Sequence, residues 1–218
     1  MPTAFIFDLD GTILNTLDDI GNACNYALKK FGYDQHPLKA YEQMVGNGFI
    51  ILVIRALPEG EYEKLDKTQF ELILTEAQTY YSQHMCELTQ PYPGIIEALS
   101  VLADKHHKLN VLSNKPEHLT QNLIKHYFPF IPFEYVLGGR KDQPLKPDPS
   151  RALQLLKDLK CEPATSFLVG DSNVDMQTAL AAKMIPIGVA WGFRGAKELD
   201  QAGATKLLTQ AAEIDELA

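Results

Sequence analysis

The chain has 218 residues, of which 45% are hydrophobic and 22% are charged, and this is the composition of an ordinary globular protein. Its formal net charge of −8 disfavours association with phosphate backbones or acidic membranes, so we expect no nucleic acid and no membrane as partners. The three cysteines, Cys24, Cys86 and Cys161, lack metal-ligand and redox spacing, which predicts free, buried or partly buried thiols in a reducing compartment.

No apolar stretch approaches the roughly 20 residues that a membrane-spanning helix requires. The apolar run at residues 4–7 stops at Asp8 and is too short for the core of a signal peptide. We therefore expect a cytoplasmic protein.

The first predicted element is a short buried strand, AFIF at residues 4–7, and the sequence DLDGT follows it directly. Asp10-Gly11 between apolar residues is a strong hairpin signal, so FIF and TIL are candidates for two paired strands. This interpretation explains Gly11 but leaves Asp8 unexplained. The alternative is a functional site, which requires further acidic, hydroxyl and basic residues at equivalent positions later in the chain.

Residues 17 to about 87 have helical periodicity and no strand signal. Helices are predicted over residues 17–31, 37–45, 50–57 and 67–85. The loop Gly46-Asn47-Gly48 lacks the preceding strand and the third glycine of a nucleotide-binding loop. We expect this loop to connect two helices of a separate helical lobe and to face an active site.

The pattern changes at Pro91, after which predicted helices and strands alternate. The strands are expected at residues 109–112, 134–137, 167–169 and 185–190, and the helices at residues 95–105, 117–128, 149–160 and 174–183. This alternation is typical of a parallel sheet with helices on both faces, which AFIF can join. The predicted fold is therefore α/β, with a core of residues 1–16 and 89–218 that is interrupted by an all-helical insertion of residues 17–88.

Polar residues follow the predicted strands, at the edge where open parallel sheets bind their ligands. These residues are Asp8, Asp10, Ser113, Asn114, Lys115, Asp171, Ser172 and Asp175, together with Lys146 in the loop PLKPDP. Each has an ordinary explanation, such as a helix cap for Asp171 or Ser172 and a solvated loop lysine for Lys146. Their occurrence at one edge favours a functional site.

The chemistry of this residue set points to phosphoryl transfer. In an extended segment the side chains of Asp8 and Asp10 point the same way, and their Cα atoms are about 6.6 Å apart. This separation suits one carboxylate that attacks the substrate and one that transfers a proton. Carboxylates held close together raise one another's pKa unless a cation is present, and an all-oxygen ligand set favours Mg²⁺. A carboxylate nucleophile beside Mg²⁺ fits an aspartyl-phosphate, whose oxygens Lys146, the Ser113 hydroxyl and backbone N–H groups would balance.

Four segments in order resemble the motifs of the haloacid dehalogenase (HAD) superfamily, in its phosphatase branch: DLDGT at 8–12, LSNK at 112–115, LKPDP at 145–149 and VGDSNVDM at 169–176. The resemblance covers the whole chain and implies a HAD-like Rossmannoid core with a helical cap domain inserted after the first strand. Further segments are similar to the phosphoglycolate phosphatase subfamily, namely VGNGFIILVIRAL, YPGIIEAL, SNKPEHL and GVAWGFRGAKELDQAGA.

The resemblance implies roles for the acidic residues. Asp8 would be the nucleophile. Asp10 would be the general acid that protonates the leaving oxygen and then the base that activates water, and its backbone carbonyl would ligate Mg²⁺. Asp171 would also ligate the metal, and Asp175 would support it directly or through water. The implied metal ligands are therefore Asp8, Asp10, Asp171 and Asp175.

The resemblance also implies a phosphate site. Ser113 and the Asn114 amide would hold the phosphate, and Lys146 would neutralise charge between the nucleophile and the phosphate. Lys115 is a candidate residue at the edge of the phosphate site, with a surface lysine as the alternative. Asn15 departs from the pattern, since relatives often carry aspartate there, but this position is peripheral to the chemistry.

Three functional hypotheses follow. The first is Mg²⁺-dependent hydrolysis of a small phosphomonoester, with 2-phosphoglycolate first among the candidates. The second is a phosphosugar mutase similar to beta-phosphoglucomutase, or a phosphatase or pyrophosphatase with another substrate. Hydrolase and mutase differ in where the phosphoryl group goes, and cap residues decide this by admitting or excluding water. The third, a non-catalytic binding module, is disfavoured because every implied acid, hydroxyl and lysine is present. The expected partner is a small phosphorylated metabolite, and both monomer and homodimer stay open.

Overall fold

A computed structural model describes residues 3–217 of the chain. Two compact units are present: one comprises the chain up to Asn15 together with Pro91 onward, and the other comprises Thr16–Gln90. We call them the α/β unit and the helical unit. Among the helices that the structure describes, none combines the length and the apolar character that a membrane crossing requires.

The described strands have two to nine residues. In chain order they are β1 (Ala4–Phe7), β2 (Leu14–Asn15), β3 (Gln90–Pro91), β4 (Lys108–Pro116), β5 (Phe133–Gly139), β6 (Phe167–Gly170), β7 (Ile185–Val189) and β8 (Lys206–Leu208). Six of them form one sheet in the order β5-β4-β1-β6-β7-β8, in which every neighbouring pair is parallel, and β2 pairs with β3. The predicted α/β fold with a parallel sheet is therefore confirmed.

Parallel neighbours need crossover connections, and helices provide them here. In chain order the described helices are α1 (Leu17–Lys30), α2 (Phe49–Ala56), α3 (Lys67–His84), α4 (Ile95–Asp104), α5 (Glu117–Tyr127), α6 (Ser150–Leu159), α7 (Asn173–Ala181) and α8 (Gly195–Gln201). Short 3₁₀ helices cover Leu38–Gln43, Tyr62–Lys64, Pro163–Thr165 and Ala211–Leu217. The helix predicted over residues 37–45 is thus a 3₁₀ helix, a form common in short connectors.

Strand β1 lies at the centre of the sheet, and its four side chains are fully buried. It pairs with β4 on one side and with β6 on the other, so the hairpin interpretation of FIF and TIL is wrong. A strand that is covered on both faces needs an apolar side chain at every position, which AFIF supplies. Chain order runs outward from β1 in both directions, and the carboxyl ends of β1, β4 and β6 therefore form a topological switch point.

Two elements near the C-terminal end of the chain were not predicted, namely α8 and β8. Strand β8 is only three residues long, KLL, and contains no β-branched residue. Helix α8 begins at Gly195, which has a φ of +73°, and its sequence GAKELDQ has a single large apolar side chain, Leu199. Neither segment carries the periodicity on which prediction from sequence depends.

The helical unit has its own core. Tyr41 and Tyr81 are fully buried within it. Helix α3 begins with a capping box in which the Asp66 carboxylate accepts from the Gln69 N–H (2.8 Å) and the Gln69 side chain accepts from the Asp66 N–H (3.0 Å). The assignment of residues 17–88 as a cap stays a prediction.

The loop Gly46-Asn47-Gly48 connects a 3₁₀ helix to α2. Both of its glycines have positive φ, +123° at Gly46 and +86° at Gly48. Arg55 braces the loop, since its guanidinium donates to Met44 O (2.9 Å) and to Asn47 Oδ1 (2.9 Å). The expectation that this loop faces an active site stays a prediction.

The three cysteines are free thiols, as expected. Cys24 and Cys161 are buried, and Cys86 is half-buried. Burial raises the pKa of the Cys24 thiol to about 12, so this thiol is held in its unreactive protonated form.

Candidate active site

Asp8 lies directly after β1, at the carboxyl end of the central strand. Its N–H donates to Val169 O (2.9 Å), so the sheet pairing extends to Asp8 itself. The chain then turns at Gly11, which has a φ of +80°. A side chain at position 11 would overlap with the Asp171 carboxylate, so this turn must combine positive φ with a close approach that only glycine allows.

Lys146 lies between two of the predicted site carboxylates. Its Nζ is 2.8 Å from Asp8 Oδ1 and donates to Asp175 Oδ1 (2.6 Å). Its side chain is only 3% exposed, so the alternative of a solvated loop lysine is wrong. Asn114 fixes the loop, because its Oδ1 accepts from the Lys146 N–H (2.8 Å) and its Nδ2 donates to Lys146 O (2.9 Å).

Three buried carboxylates meet beside this lysine. One oxygen each of Asp8, Asp171 and Asp175 lies within 4.8 Å of the others. Among the described residues, these three carboxylates are close enough together to bind one metal ion. Asp171 Oδ2 accepts from the Phe193 N–H (2.8 Å), so Asp171 does not act as a simple helix cap. Asp175 Oδ2 accepts from the Ser172 N–H (3.2 Å) and hydroxyl (2.7 Å), which fixes it at the start of α7.

Burial dominates the electrostatics of this group. It raises the pKa of Asp8 to about 7, and the Lys146 ammonium only partly opposes the shift. Burial also raises the pKa of Asp171 well above its usual value, with the Asp175 and Asp8 carboxylates adding to the effect. Burial alone would lower the pKa of Lys146, but Asp175 and Asp8 keep it above its usual value. The site therefore has more negative than positive groups, and a cation would stabilise its ionised form.

The donor set fits a hard divalent cation. Asp8 Oδ1 is buried and accepts no hydrogen bond from residues 3–217, since its 2.8 Å ion pair with Lys146 lacks hydrogen-bond geometry. The Lys146 ammonium is a single positive charge that Asp8 and Asp175 share, so it does not balance all three carboxylates. With further oxygens from Asp171 and Asp175 close by, an all-oxygen site of the kind that Mg²⁺ prefers is available.

The side chain of Asp10 does not join this group but points to a second lysine. Both Asp10 oxygens accept from Lys115 Nζ, at 2.9 Å and 3.2 Å. The Lys115 side chain is 3% exposed and that of Asp10 12%, so the surface-lysine alternative for Lys115 is wrong. The acid and base role of Asp10, and metal ligation by its backbone carbonyl, stay predictions.

The predicted phosphate residues lie on β4, the neighbour of β1 in the sheet. Ser113 and Asn114 are both buried. Ser113 Oγ accepts from the Lys115 N–H (3.2 Å), and the Asn114 side chain contacts the Lys146 backbone as described above. Their contacts with phosphate stay predictions, and the structure places both residues at the same sheet edge as Asp8.

The loop after β7 contacts the site, and this contact was not predicted from the sequence. Trp191 Nε1 donates to Thr12 O (3.0 Å), and the Phe193 N–H reaches Asp171. A side chain at Gly192 would overlap with Asp171 and with the backbone of the first turn. The only mark of this loop in the sequence is a glycine between two aromatic residues, which does not distinguish it from an ordinary loop.

Together these features support nucleophilic chemistry on an anion. Asp8 lies directly after the central strand, 2.8 Å from the ammonium of Lys146 and within 4.8 Å of the other two site carboxylates. The carboxylates alone would repel an approaching phosphoryl group. A cation bound between them, together with the Lys146 ammonium, would offset the negative charge of that group.

Comparison with known proteins agrees with this geometry. Residues 5–189 match the family model described as haloacid dehalogenase-like hydrolase. A phosphoglycolate phosphatase from Haemophilus influenzae is 30% identical over 190 residues, which are 86% of this chain and 85% of that protein. The crystal structure of a proposed phosphoglycolate phosphatase from Lactobacillus delbrueckii subsp. bulgaricus has a TM-score of 0.90 and 31% identity, covering 98% of this chain and 97% of that chain.

A proposed beta-phosphoglucomutase from Bacteroides vulgatus has the same fold, with a TM-score of 0.78 over 99% of this chain and 86% of that chain. At 18% identity this likeness concerns the fold alone. The family match, by contrast, covers most of the chain and includes the segments DLDGT, LSNK, LKPDP and VGDSNVDM. The predicted enzyme class is confirmed, and the chain belongs to the haloacid dehalogenase-like hydrolase family.

Proposed function

We propose that the protein is a Mg²⁺-dependent phosphatase that hydrolyses 2-phosphoglycolate through an aspartyl-phosphate on Asp8. The observation that carries this proposal is the environment of Asp8. It is a buried carboxylate at the end of the central strand, 2.8 Å from the Lys146 ammonium and within 4.8 Å of two further carboxylates. In a hydrolase family, such a carboxylate is suited to act as a nucleophile.

In the first step an oxygen of Asp8 attacks the phosphorus of the substrate. A bond forms between that oxygen and phosphorus, and the bond from phosphorus to the leaving oxygen breaks. Asp10 donates its proton to the leaving oxygen, so that this oxygen departs as the hydroxyl group of glycolate. Lys146, which contacts Asp8 and Asp175, neutralises charge between the carboxylates and the incoming phosphoryl oxygens.

In the second step water attacks the phosphorus of the aspartyl-phosphate. Asp10, now ionised, accepts a proton from this water, and the Asp8 carboxylate is released together with inorganic phosphate. The Ser113 hydroxyl and nearby backbone N–H groups hold the phosphoryl oxygens during both steps. The same residue thus serves first as acid and then as base.

The side chains of Asp8, Asp171 and Asp175, with the backbone carbonyl of Asp10, would hold Mg²⁺. When bound, the ion supplies positive charge that lowers the repulsion between the site carboxylates and the phosphoryl group. The buried Asp8 oxygen that lacks a hydrogen bond and the all-oxygen donor set support this assignment.

The choice of 2-phosphoglycolate rests on the relatives. The curated relative from Haemophilus influenzae is a phosphoglycolate phosphatase at 30% identity over most of both chains, whereas the mutase-like neighbour shares only the fold. We assign residues 17–88 as the cap that selects the substrate and controls water access. A soluble metabolite as substrate and a cytoplasmic location are parts of the same proposal.

The test is release of inorganic phosphate from a panel of phosphomonoesters with Mg²⁺, repeated with excess chelator. The panel contains 2-phosphoglycolate, sugar phosphates, nucleotides, pyrophosphate and beta-glucose 1-phosphate, and the last is also assayed for conversion to glucose 6-phosphate. We expect 2-phosphoglycolate to have the highest kcat/KM and chelator to remove the activity. Isomerisation without net phosphate release would support the mutase instead, and the Asp8→Asn variant controls for contaminating phosphatase.

A further inference from the structure

We propose that Lys115 is a positioning residue that holds the Asp10 carboxylate in the orientation needed for proton transfer to the leaving group. This inference rests on the proposed function, because it concerns the acid and base step of that reaction. It gives a defined role to a lysine whose environment differs from that of a surface residue.

The contact is bidentate and buried. Lys115 Nζ donates to both oxygens of Asp10, at 2.9 Å and 3.2 Å, and its side chain is 3% exposed. An ammonium that binds both oxygens limits rotation of the carboxylate about its own axis. The plane of the carboxylate, and with it the direction in which its proton lies, is therefore set by Lys115.

The backbone of Lys115 is itself fixed by its surroundings. Its N–H donates to Ser113 Oγ (3.2 Å), and its carbonyl accepts from Thr120 Oγ1 (3.2 Å) on α5. The neighbouring strand β5 approaches closely enough that a side chain at Gly138 would overlap with the Lys115 carbonyl. The ammonium is thus carried by a rigid strand end and not by a mobile loop.

A stabilising role alone accounts poorly for this pair. Removing two charges from water is unfavourable, and a buried ion pair is often no more stable than apolar residues of the same size. The chain nevertheless places two buried lysines at one sheet edge, each against a different carboxylate. Lys146 contacts the proposed nucleophile Asp8, and Lys115 contacts Asp10. This division matches the two chemical roles of the carboxylates.

The proposal predicts an effect that depends on the leaving group. An alkoxide leaving group needs a proton, whereas 4-nitrophenolate departs without one. Loss of Lys115 should therefore slow hydrolysis of 2-phosphoglycolate and of methyl phosphate to a similar extent, by roughly 10- to 100-fold in kcat with little change in KM. In a single turnover, phosphoryl transfer from 4-nitrophenyl phosphate to the enzyme should slow by less than about threefold, because its leaving group does not depend on the acid. Hydrolysis of the aspartyl-phosphate, which is common to all substrates and uses Asp10 as base, should slow equally for each of them.

The experiment compares Lys115→Met, Lys115→Arg, Asp10→Asn and the Lys115→Met/Asp10→Asn double variant, with Lys141→Met as the control at an exposed lysine of the same unit. We expect Lys115→Arg to recover part of the lost kcat and Lys141→Met to behave as wild type. In the Asp10→Asn background, Lys115→Met should cause no further loss, because Lys115 acts through Asp10.

Two other results would overturn the proposal. Equal losses in phosphoryl transfer from 4-nitrophenyl phosphate and from 2-phosphoglycolate, additive with Asp10→Asn, would show a merely structural lysine. A raised KM for 2-phosphoglycolate alone, with methyl phosphate unaffected, would show that Lys115 binds the substrate carboxylate directly.

A measurement without substrate keeps the proposal separate from the proposed function. The wild type, Lys115→Met, Asp10→Asn and the double variant form a double-mutant cycle in denaturant unfolding, in which a direct pair gives a non-additive free energy of unfolding. Additive changes in the free energy of unfolding would show that Lys115 and Asp10 do not interact, and this would overturn the proposal whether or not the protein is a phosphatase. Inactivity of the wild type on every phosphomonoester would instead overturn the proposed function and, with it, the catalytic part of this inference.

Discussion

Two buried aspartates, one in each unit, differ in how their oxygens are satisfied. In the helical unit, Asp19 at the start of α1 accepts from the N–H groups of Leu88 and Thr89 and from the Thr89 hydroxyl, at distances of 2.8–3.1 Å. In the α/β unit, Asp8 Oδ1 accepts no hydrogen bond from the described residues and has an ion pair with Lys146. Burial is common to both, so burial alone does not identify a catalytic carboxylate.

The difference concerns what each site can still bind. The bonds that Asp19 accepts come from uncharged donors of its own unit and tie the start of α1 to residues 88–89. Asp8 retains a buried acceptor in a group of three carboxylates, which leaves it able to coordinate a cation or attack an electrophile. The following predictions test this contrast, beginning with the largest expected effect on turnover.

Asp8→Asn should abolish phosphate release while the protein stays folded. The amide keeps the shape of the carboxylate but cannot form an acyl phosphate by the same route. Removing one of three clustered carboxylates also relieves repulsion, so the free energy of unfolding should not fall in metal-free buffer. Steady-state kinetics and denaturant unfolding measure the two properties, and wild-type turnover by this variant would contradict the assignment of Asp8.

Asp10→Asn should lower kcat on 2-phosphoglycolate by roughly 10²–10⁴-fold, the usual contribution of a general acid or base. The loss on 4-nitrophenyl phosphate should be smaller in the first step, because 4-nitrophenolate leaves without a proton. Pre-steady-state kinetics separate phosphoryl transfer to the enzyme from hydrolysis of the intermediate. A rate equal to that of wild type on both substrates would remove Asp10 from its role.

Gly192→Ala should reduce turnover about tenfold or more and lower stability by about 1–3 kcal/mol, because a new methyl group would overlap with Asp171 and displace it. Gly32→Ala is the matched control. Gly32 has a φ of +82° and no atom within 4 Å of an added Cβ, so alanine there is strained without touching the site. If both variants lose stability but keep full activity, the loop after β7 does not position Asp171.

The stability of metal-free protein should fall as pH rises from about 4 to 7. The folded-state pKa of Asp8 is about 7, above its usual value of 3.8, so the folded protein retains a proton that the unfolded chain has released in this interval. The expected slope is on the order of 1 kcal/mol per pH unit for each such group, and Asp171 acts in the same direction.

Added Mg²⁺ should reverse much of this loss near pH 7, raising stability by about 2.7 kcal/mol at one hundred times its dissociation constant. Unfolding monitored by circular dichroism from pH 4 to 8, with and without the ion, checks both expectations. Asp8→Asn should flatten the pH dependence, and an unchanged slope would contradict the pKa of Asp8.

Asp19→Asn should have the smallest effect on turnover and a clear effect on stability. One half of the amide cannot accept hydrogen bonds, so buried donors of residues 88–89 lose a partner, at a cost of about 1–3 kcal/mol. Unfolding in urea measures the loss, and kcat/KM on 2-phosphoglycolate should stay within about threefold of wild type. A loss of turnover as severe as that of Asp8→Asn would end the contrast between the two aspartates.

Much of the site could be predicted because its side chains follow strands of a parallel sheet. Asp8 follows the buried run AFIF, Asp171 follows FLV, and Ser113 follows NVL, so their residue types and positions are visible in the sequence. The pairing of Asp10 with Lys115 was not predictable, because 105 residues separate the partners and each position has several candidate neighbours.

Other features could not be predicted because they depend on the backbone. The N–H of Phe193 that reaches Asp171 has no side-chain signature, and Gly192 resembles an ordinary loop glycine until its distance to Asp171 is known. The strand β8 was missed for a related reason, since KLL pairs with β7 through its backbone and carries no alternating pattern.

The most direct test of the account is to trap the phosphorylated residue. The enzyme is mixed with 2-phosphoglycolate and Mg²⁺, quenched in acid during turnover and treated with borohydride, which reduces an acyl phosphate to the corresponding alcohol. Peptide mass spectrometry should then find homoserine in place of aspartate at position 8 and at no other aspartate. Two results would contradict the central claim. One is modification of another residue while Asp8 stays unmodified, and the other is no modification at all when single-turnover kinetics show a populated phosphoenzyme.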